Sequence, residues 1–189
     1  MTERRKEKIL RALRHRMPDV TVVMEDIHDP HNVSAVLRSC DAVGVLEVQL
    51  LYCSEKFPKL GKKSSASAVK WVRRRKFSSV KECYERLGEE GFRIYATHLG
   101  TRSKSLFDLN LAGKVALVFG NEHRGVSEDA ARLADENFQI PMVGMIESLN
   151  VSVACAVSLY EVFRQRLAAK GIAKLSEKEI EELFREWTK

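Results

Sequence analysis

The segment from Val115 to Glu128 reads VALVFGNEHRGVSE. An apolar run, Val115–Phe119, stops at a polar loop bracketed by two glycines, Gly120-Asn121-Glu122-His123-Arg124-Gly125, and a helix with Glu128 and Asp129 in its first turn is expected to follow. Continuous apolar runs of this length mark strands buried on both faces. The layout sets Asn, Glu, His and Arg at the carboxyl end of such a strand, where α/β proteins place their sites. A solvated turn is the plainer reading of the same four residues.

Outward from this segment, four more runs read as strands: Val20–Met24, Val45–Leu51, Phe92–Thr97 and Asn137–Ile140. Helical stretches at Val33–Val43, Ser79–Leu87, Val126–Leu133 and Val151–Ala169 alternate with them. The alternation predicts an α/β domain with a largely parallel sheet sandwiched by helices. No Gly-x-Gly-x-x-Gly follows the first strand, which removes the main support for a dinucleotide fold. Ala154, Cys155, Ala156 and Ser158 suit the Val151 helix to close packing against a loop or a partner. A capping box, Ser176 with Glu179, starts a last helix carrying Ile180, Leu183, Phe184 and Trp187 on one stripe. Leu10, Leu13 and Met17 recur at helical spacing near the other end, so each end is expected to carry a helical extension.

Lys and Arg number 32 against 26 Asp and Glu, a net charge of +6. The excess is concentrated. Lys59 to Lys76 holds eight basic residues and no acid, and the first segment carries Arg4, Arg5, Lys6, Lys8, Arg11, Arg14 and Arg16 against Glu3 and Glu7. Two acid-poor clusters point to a polyanion partner, with solvated charged faces as the alternative. No apolar run reaches the roughly 18 residues of a membrane span, and the basic start lacks a signal peptide's apolar core, so a cytoplasmic protein without membrane association is expected. Cys40, Cys53, Cys83 and Cys155 are scattered, as reduced and mostly buried thiols are. His28 and His31 have no matching Cys/His pair, and no metal is expected.

Two further segments join the first. His28-Asp29-Pro30-His31-Asn32 leads into VSAVLRSCDAVG, and Ile140 to Asn150, IPMVGMIESLN, leads into VSVACAVSLYEVF. Together with FGNEHRG, and in this order, they resemble the three motifs of the SPOUT methyltransferases, specifically the TrmH-like RNA ribose 2′-O-methyltransferases.

That resemblance implies a domain over residues 19–170 with a carboxyl-terminal deep trefoil knot at roughly 92–165, a basic extension at 1–18 and an amphipathic helix within 171–189. It implies S-adenosylmethionine held by Thr97, Leu99, Gly120, Ile140 and Leu149. Gly120 has a physical reason, since absence of a Cβ lets a ligand approach the backbone. Asn32, Arg38, Glu122, Ser148 and Asn150 match the family's functional residues. Their plainer roles are Asn32 as an N-cap, Arg38 as a surface charge, Ser148 or Asn150 as a cap, and Glu122 as a partner for Arg124. Arg4, Arg5, Arg11, Lys62, Lys63, Arg73, Arg74 and Arg124 are the candidate RNA contacts. The resemblance further implies a homodimer acting on tRNA at guanosine 18, with another tRNA nucleotide, ribosomal RNA or a non-catalytic RNA-binding role as alternatives.

Overall fold

The computed structural model describes residues 1–58, 68–169 and 173–188. The chain runs α1 (Glu3–Arg14), β1 (Met17–Glu25), α2 (Pro30–Val43), β2 (Val45–Leu51), α3 (Ala68–Trp71), β3 (Arg73–Phe77), α4 (Val80–Glu89), β4 (Arg93–Thr97), β5 (Lys104–Ser105), β6 (Val115–Phe119), α5 (Glu128–Leu133), β7 (Glu136–Gln139), α6 (Val151–Ala169) and α7 (Glu177–Thr188). Among the described residues seven strands form one sheet in the order β3-β2-β1-β6-β4-β7-β5. Every pairing is parallel.

The alternation of runs therefore yields the expected α/β sandwich. On one face α2 and α6 cover Val20, Val22, Val48, Leu117 and Phe138; on the other, α4 and α5 cover Val23, Leu51, Ile94, Ala96 and Val118. Because β1 and β6 lie inside the sheet, both faces of each are buried, which is why VTVVM and VALVF are unbroken apolar runs. Small side chains on α6 let it approach α2 closely, and the Cys155 thiol meets that of Cys40. Among the described residues no helix is long and apolar enough to cross a membrane.

Four local expectations change. Met17 belongs to β1, not to the first helix, whose buried residues are Ile9 and Leu13. Two strands have no counterpart in the apolar pattern: β3 consists of Arg73-Arg74-Arg75-Lys76-Phe77 at the sheet edge, and β5 is two residues long. Helix α2 begins three residues early, with Asp29 as N-cap accepting from the His31 N–H and Pro30 in the first turn. Helix α5 starts at Glu128, capped by Ser127, so Val126 lies in the loop.

The two extensions form one unit. Ile9 and Leu13 of α1 pack with Leu175, Ile180, Leu183 and Trp187, and the capping box is present, Ser176 N–H to Glu179 Oε2 at 2.8 Å and Glu179 N–H to Ser176 Oγ at 3.3 Å. Arg16, counted above with the basic arm, is instead 2 % exposed. It donates to Val45 O and Asp41 Oδ1 and stacks 4.9 Å from the Trp187 ring.

Candidate active site

The loops that follow β1, β6, β4 and β7 leave one edge of the sheet side by side, because those four strands are neighbours and parallel. The three motif segments meet there. The Glu122 carboxylate accepts from the His28 N–H at 3.0 Å, the Asp29 N–H at 3.1 Å and Asn32 Nδ2 at 2.8 Å. Asn32 Oδ1 in turn accepts from Asn150 Nδ2 at 3.0 Å. Asn150 also starts α6, its Oδ1 accepting from the Ser152 N–H at 2.9 Å. Asn32 is buried in the first turn of α2, three residues after the cap, so it is no N-cap itself.

Burial works to raise the Glu122 pKa, but the Asn32 amide and the backbone N–H groups of His28 and Asp29 outweigh it and hold the carboxyl below its ordinary value. Glu122 is not the partner of Arg124. The Arg124 guanidinium meets Asp26 Oδ2 at 2.5 Å. Asp26 and Tyr52 are the residues that sequence reasoning missed. Tyr52 OH donates to Ile27 O at 2.8 Å, and burial, then the charges of Glu122 and Asp26, push its phenol far above its usual range. A lone Asp after a strand and a lone Tyr carry no periodic signal.

Arg38 and Ser148 are both exposed and stand outside this hydrogen-bonded chain. Among the proposed cofactor residues, Thr97 gives its hydroxyl to Val118 O at 3.0 Å, Leu99 is 62 % exposed, and Ile140 and Leu149 are half-buried. Gly120 has a further reason to lack a Cβ, one within the chain itself. A Cβ there would lie 2.1 Å from Gly125 C and 2.2 Å from Val126 N, so the close approach is by the loop's own returning strand. Asn121 and Gly125 bridge across that turn, with Gly125 at φ +71°.

Of the basic candidates, Arg4, Arg5, Arg11 and Arg74 are exposed. Arg73 pairs with Glu186, and Arg75 sits between Glu47 at 2.6 Å and Glu90 at 2.7 Å, so acids from elsewhere in the chain answer part of a cluster that is acid-free in sequence. Lys62 and Lys63 lie outside the described residues.

Comparison with known proteins identifies the family. Residues 19–160 match the SpoU rRNA Methylase family. A tRNA (guanosine(18)-2′-O)-methyltransferase of Thermus thermophilus is 46 % identical over 168 residues, 89 % of this chain and 86 % of that protein. The Escherichia coli K12 protein of the same name is 37 % identical, covering 88 % and 72 %. The crystal structure of the Aquifex aeolicus TrmH/SpoU tRNA modifying enzyme superposes with a TM-score of 0.91 at 35 % identity, covering 98 % of this chain and 95 % of that one. With the family match spanning most of the sheet and all three segments that converge on Glu122, Asn32 and Asn150, the chain belongs to the SpoU methylase family.

Proposed function

We propose that this protein transfers the methyl group of S-adenosylmethionine to the 2′-oxygen of a tRNA ribose, that of guanosine 18, acting in the cytoplasm as a homodimer. The observation that carries the reading is the chain Glu122–Asn32–Asn150, which ties three distant segments into one polar cluster at the carboxyl edge of the sheet. The relatives named for this reaction support the substrate.

The loops after β4, β6 and β7 suit an adenosyl group. Leu99, Ile146 and Met145 stand 62 %, 63 % and 99 % exposed there, apolar surface that a bound base would cover. The buried Ser103 hydroxyl has no hydrogen-bond partner among the described residues and lies beside the position a Cβ on Gly100 would take. Thr97, Leu99, Gly120, Ile140 and Leu149 would hold the cofactor, which supplies an already activated methyl group. The knot expected over roughly 92–165 belongs to the same proposal, supported by likeness to the solved relatives.

The chain's own residues then position the ribose. Arg38 clamps the adjacent phosphate and lowers the cost of forming the alkoxide, the hydroxyl proton passing to solvent water as the methyl group leaves the sulfonium, since a guanidinium with a pKa above about 12 is poorly suited to accept a proton. Glu122, through Asn32, and Asn150 with Ser148 orient the acceptor. For the dimer, Val153, Val157, Tyr160 and Leu167 form an exposed stripe along α6 at spacings of a helical face, 46 %, 37 %, 56 % and 55 % accessible. A second copy would cover this stripe and bring two sites together.

The test is direct. Labelled S-adenosylmethionine, the protein and unmodified tRNA should yield 2′-O-methylguanosine at position 18, and sedimentation should give a dimer at micromolar concentration. Transfer only to ribosomal RNA, or tRNA binding without transfer, would replace the substrate or the reaction respectively. Because α1 is packed on α7, the RNA role of the arm is tested by reversing Arg4, Arg5 and Arg11 to Glu, not by truncation. Weaker tRNA binding with a shallower salt slope is expected.

A further inference from the structure

Asp26 follows β1 directly and has φ +49°, the one non-glycine residue in the left-handed region among those described. Its side chain is 2 % exposed. The carboxylate accepts from the N–H groups of Cys53 at 2.9 Å, Ser54 at 3.3 Å and Glu55 at 3.2 Å, and its cation is Arg124. From the same residue the backbone carbonyl accepts from Asn121 Nδ2 at 2.8 Å. Asn121 also closes its own turn, receiving the Gly125 N–H at 2.8 Å on its carbonyl and the His123 N–H at 3.0 Å on its side chain.

Asn121 and Arg124 flank Glu122 and His123 in sequence. The loop after β6 is thus pinned on both sides of Glu122 to a single residue, and that residue lies two positions before His28, whose N–H meets the Glu122 carboxylate. The two loops hold each other reciprocally: Asp26 fixes the loop that carries Glu122, and Glu122 fixes the backbone that follows Asp26. Arg124 is 47 % exposed, so its position alone would suit an RNA phosphate. Yet losing it would leave a buried carboxylate without a cation, which is strongly unfavourable.

We infer that Asp26 and Arg124 are a pair of positioning residues for methyl transfer: together they hold the Gly120–Gly125 loop so that Glu122 reaches His28, Asp29 and Asn32, and Arg124 acts through this loop rather than by gripping RNA. The inference rests on the methyltransferase reading above. It predicts a kinetic split that an RNA contact would not produce.

Arg124→Gln and Asp26→Asn separate the two roles, the asparagine keeping an acceptor and tolerating left-handed backbone. Each variant should slow single-turnover transfer at saturating tRNA by about 10- to 100-fold, and the double variant by no more than the worse single one, because the two act as a unit. The tRNA Kd and its salt slope should stay at wild-type values, and Arg124→Lys should recover most of the rate. Weaker tRNA binding, a shallower salt slope and a normal saturated rate in Arg124→Gln, with Asp26→Asn silent, would overturn the inference. Hydrogen exchange on the protein alone gives an independent readout: Arg124→Gln should speed exchange at the His28, Asp29 and Gly125 amides. Unchanged protection there removes the positioning role even if the wild type methylates tRNA; accelerated exchange in a protein that methylates nothing removes the methyltransferase reading and leaves the loop pairing standing.

Discussion

Asn32 Nδ2 donates to the Glu122 carboxylate at 2.8 Å across 90 residues of sequence. The contact is the point at which the first and second motif segments meet, and Asn32 passes the chain on to Asn150. Replacing Asn32 with Ala would strip a donor from Glu122 and an acceptor from Asn150 at once. A loss of about 1–3 kcal/mol in urea unfolding is expected, together with a fall in single-turnover transfer that exceeds any change in tRNA affinity.

The Glu122 charge links this contact to pH. Its folded-state pKa is lowered, so its contribution to stability is complete above the ordinary glutamate range and disappears as pH falls through the lowered folded value. Glu122→Gln removes that contribution. The stability gap between wild type and Glu122→Gln should be constant near neutrality and close in acid, as measured by denaturant unfolding at a series of pH values. A gap that widens in acid would contradict the assignment.

Arg38 is exposed on α2 and engages nothing in the hydrogen-bonded chain. As a phosphate clamp it should be dispensable for folding and for cofactor affinity, so Arg38→Ala should unfold like wild type while transfer falls by orders of magnitude. Arg38→Lys distinguishes fork geometry from charge: severe loss follows from a bidentate role, partial retention from an electrostatic one. Rapid-quench assays with saturating tRNA decide.

Gly120→Ala would set a Cβ 2.1 Å from the Gly125 carbonyl carbon, and that neighbour is backbone, which cannot swing aside. The turn must open. Destabilisation of about 1–3 kcal/mol is expected from the forced shift, with loss of the Asn121–Gly125 bridge visible as a shifted Gly125 amide resonance.

At the other end of the molecule, Trp187 is 3 % exposed and meets both the Arg16 guanidinium and, at 5.0 Å, the Trp71 ring. Trp187→Ala should cost about 3–5 kcal/mol. Calorimetry would show whether α1 and α7 melt first, as a unit, ahead of the sheet.

The central strands and the long helices could be read from sequence because their burial imposes a period. VALVF and VTVVM are apolar throughout since helices cover both faces, and α6 was placed to the residue. β3 was not, because at an edge RRRKF needs only Phe77 buried and its charges find Glu186, Glu47 and Glu90 across the fold. Within the site, Glu122 is marked by its glycine-bracketed polar loop, whereas Asn32 and Asn150 read locally as helix caps and are singled out only by the resemblance to the family's motifs. The partner of Arg124 did not: nearby Glu122 competed in sequence with an Asp almost a hundred residues away, and only the parallel pairing of β1 with β6 brings Asp26 within reach. Nor does a count of charges reveal that Arg16 and Arg166 are buried, the second donating to Asp19 Oδ1 at 2.6 Å.

The packing of α1 on α7 sets a timetable for synthesis. Ile9 and Leu13 leave the ribosome well before Leu183 and Trp187, which form part of the surface that covers them. At about 5–20 residues per second, the α1 helix waits roughly ten seconds or more for α7, its apolar stripe covered meanwhile only by earlier residues such as Leu46 and Trp71. Through that interval the nascent chain presents a basic amphipathic segment to its surroundings, and α1 reaches its full packing only once α7 has been made.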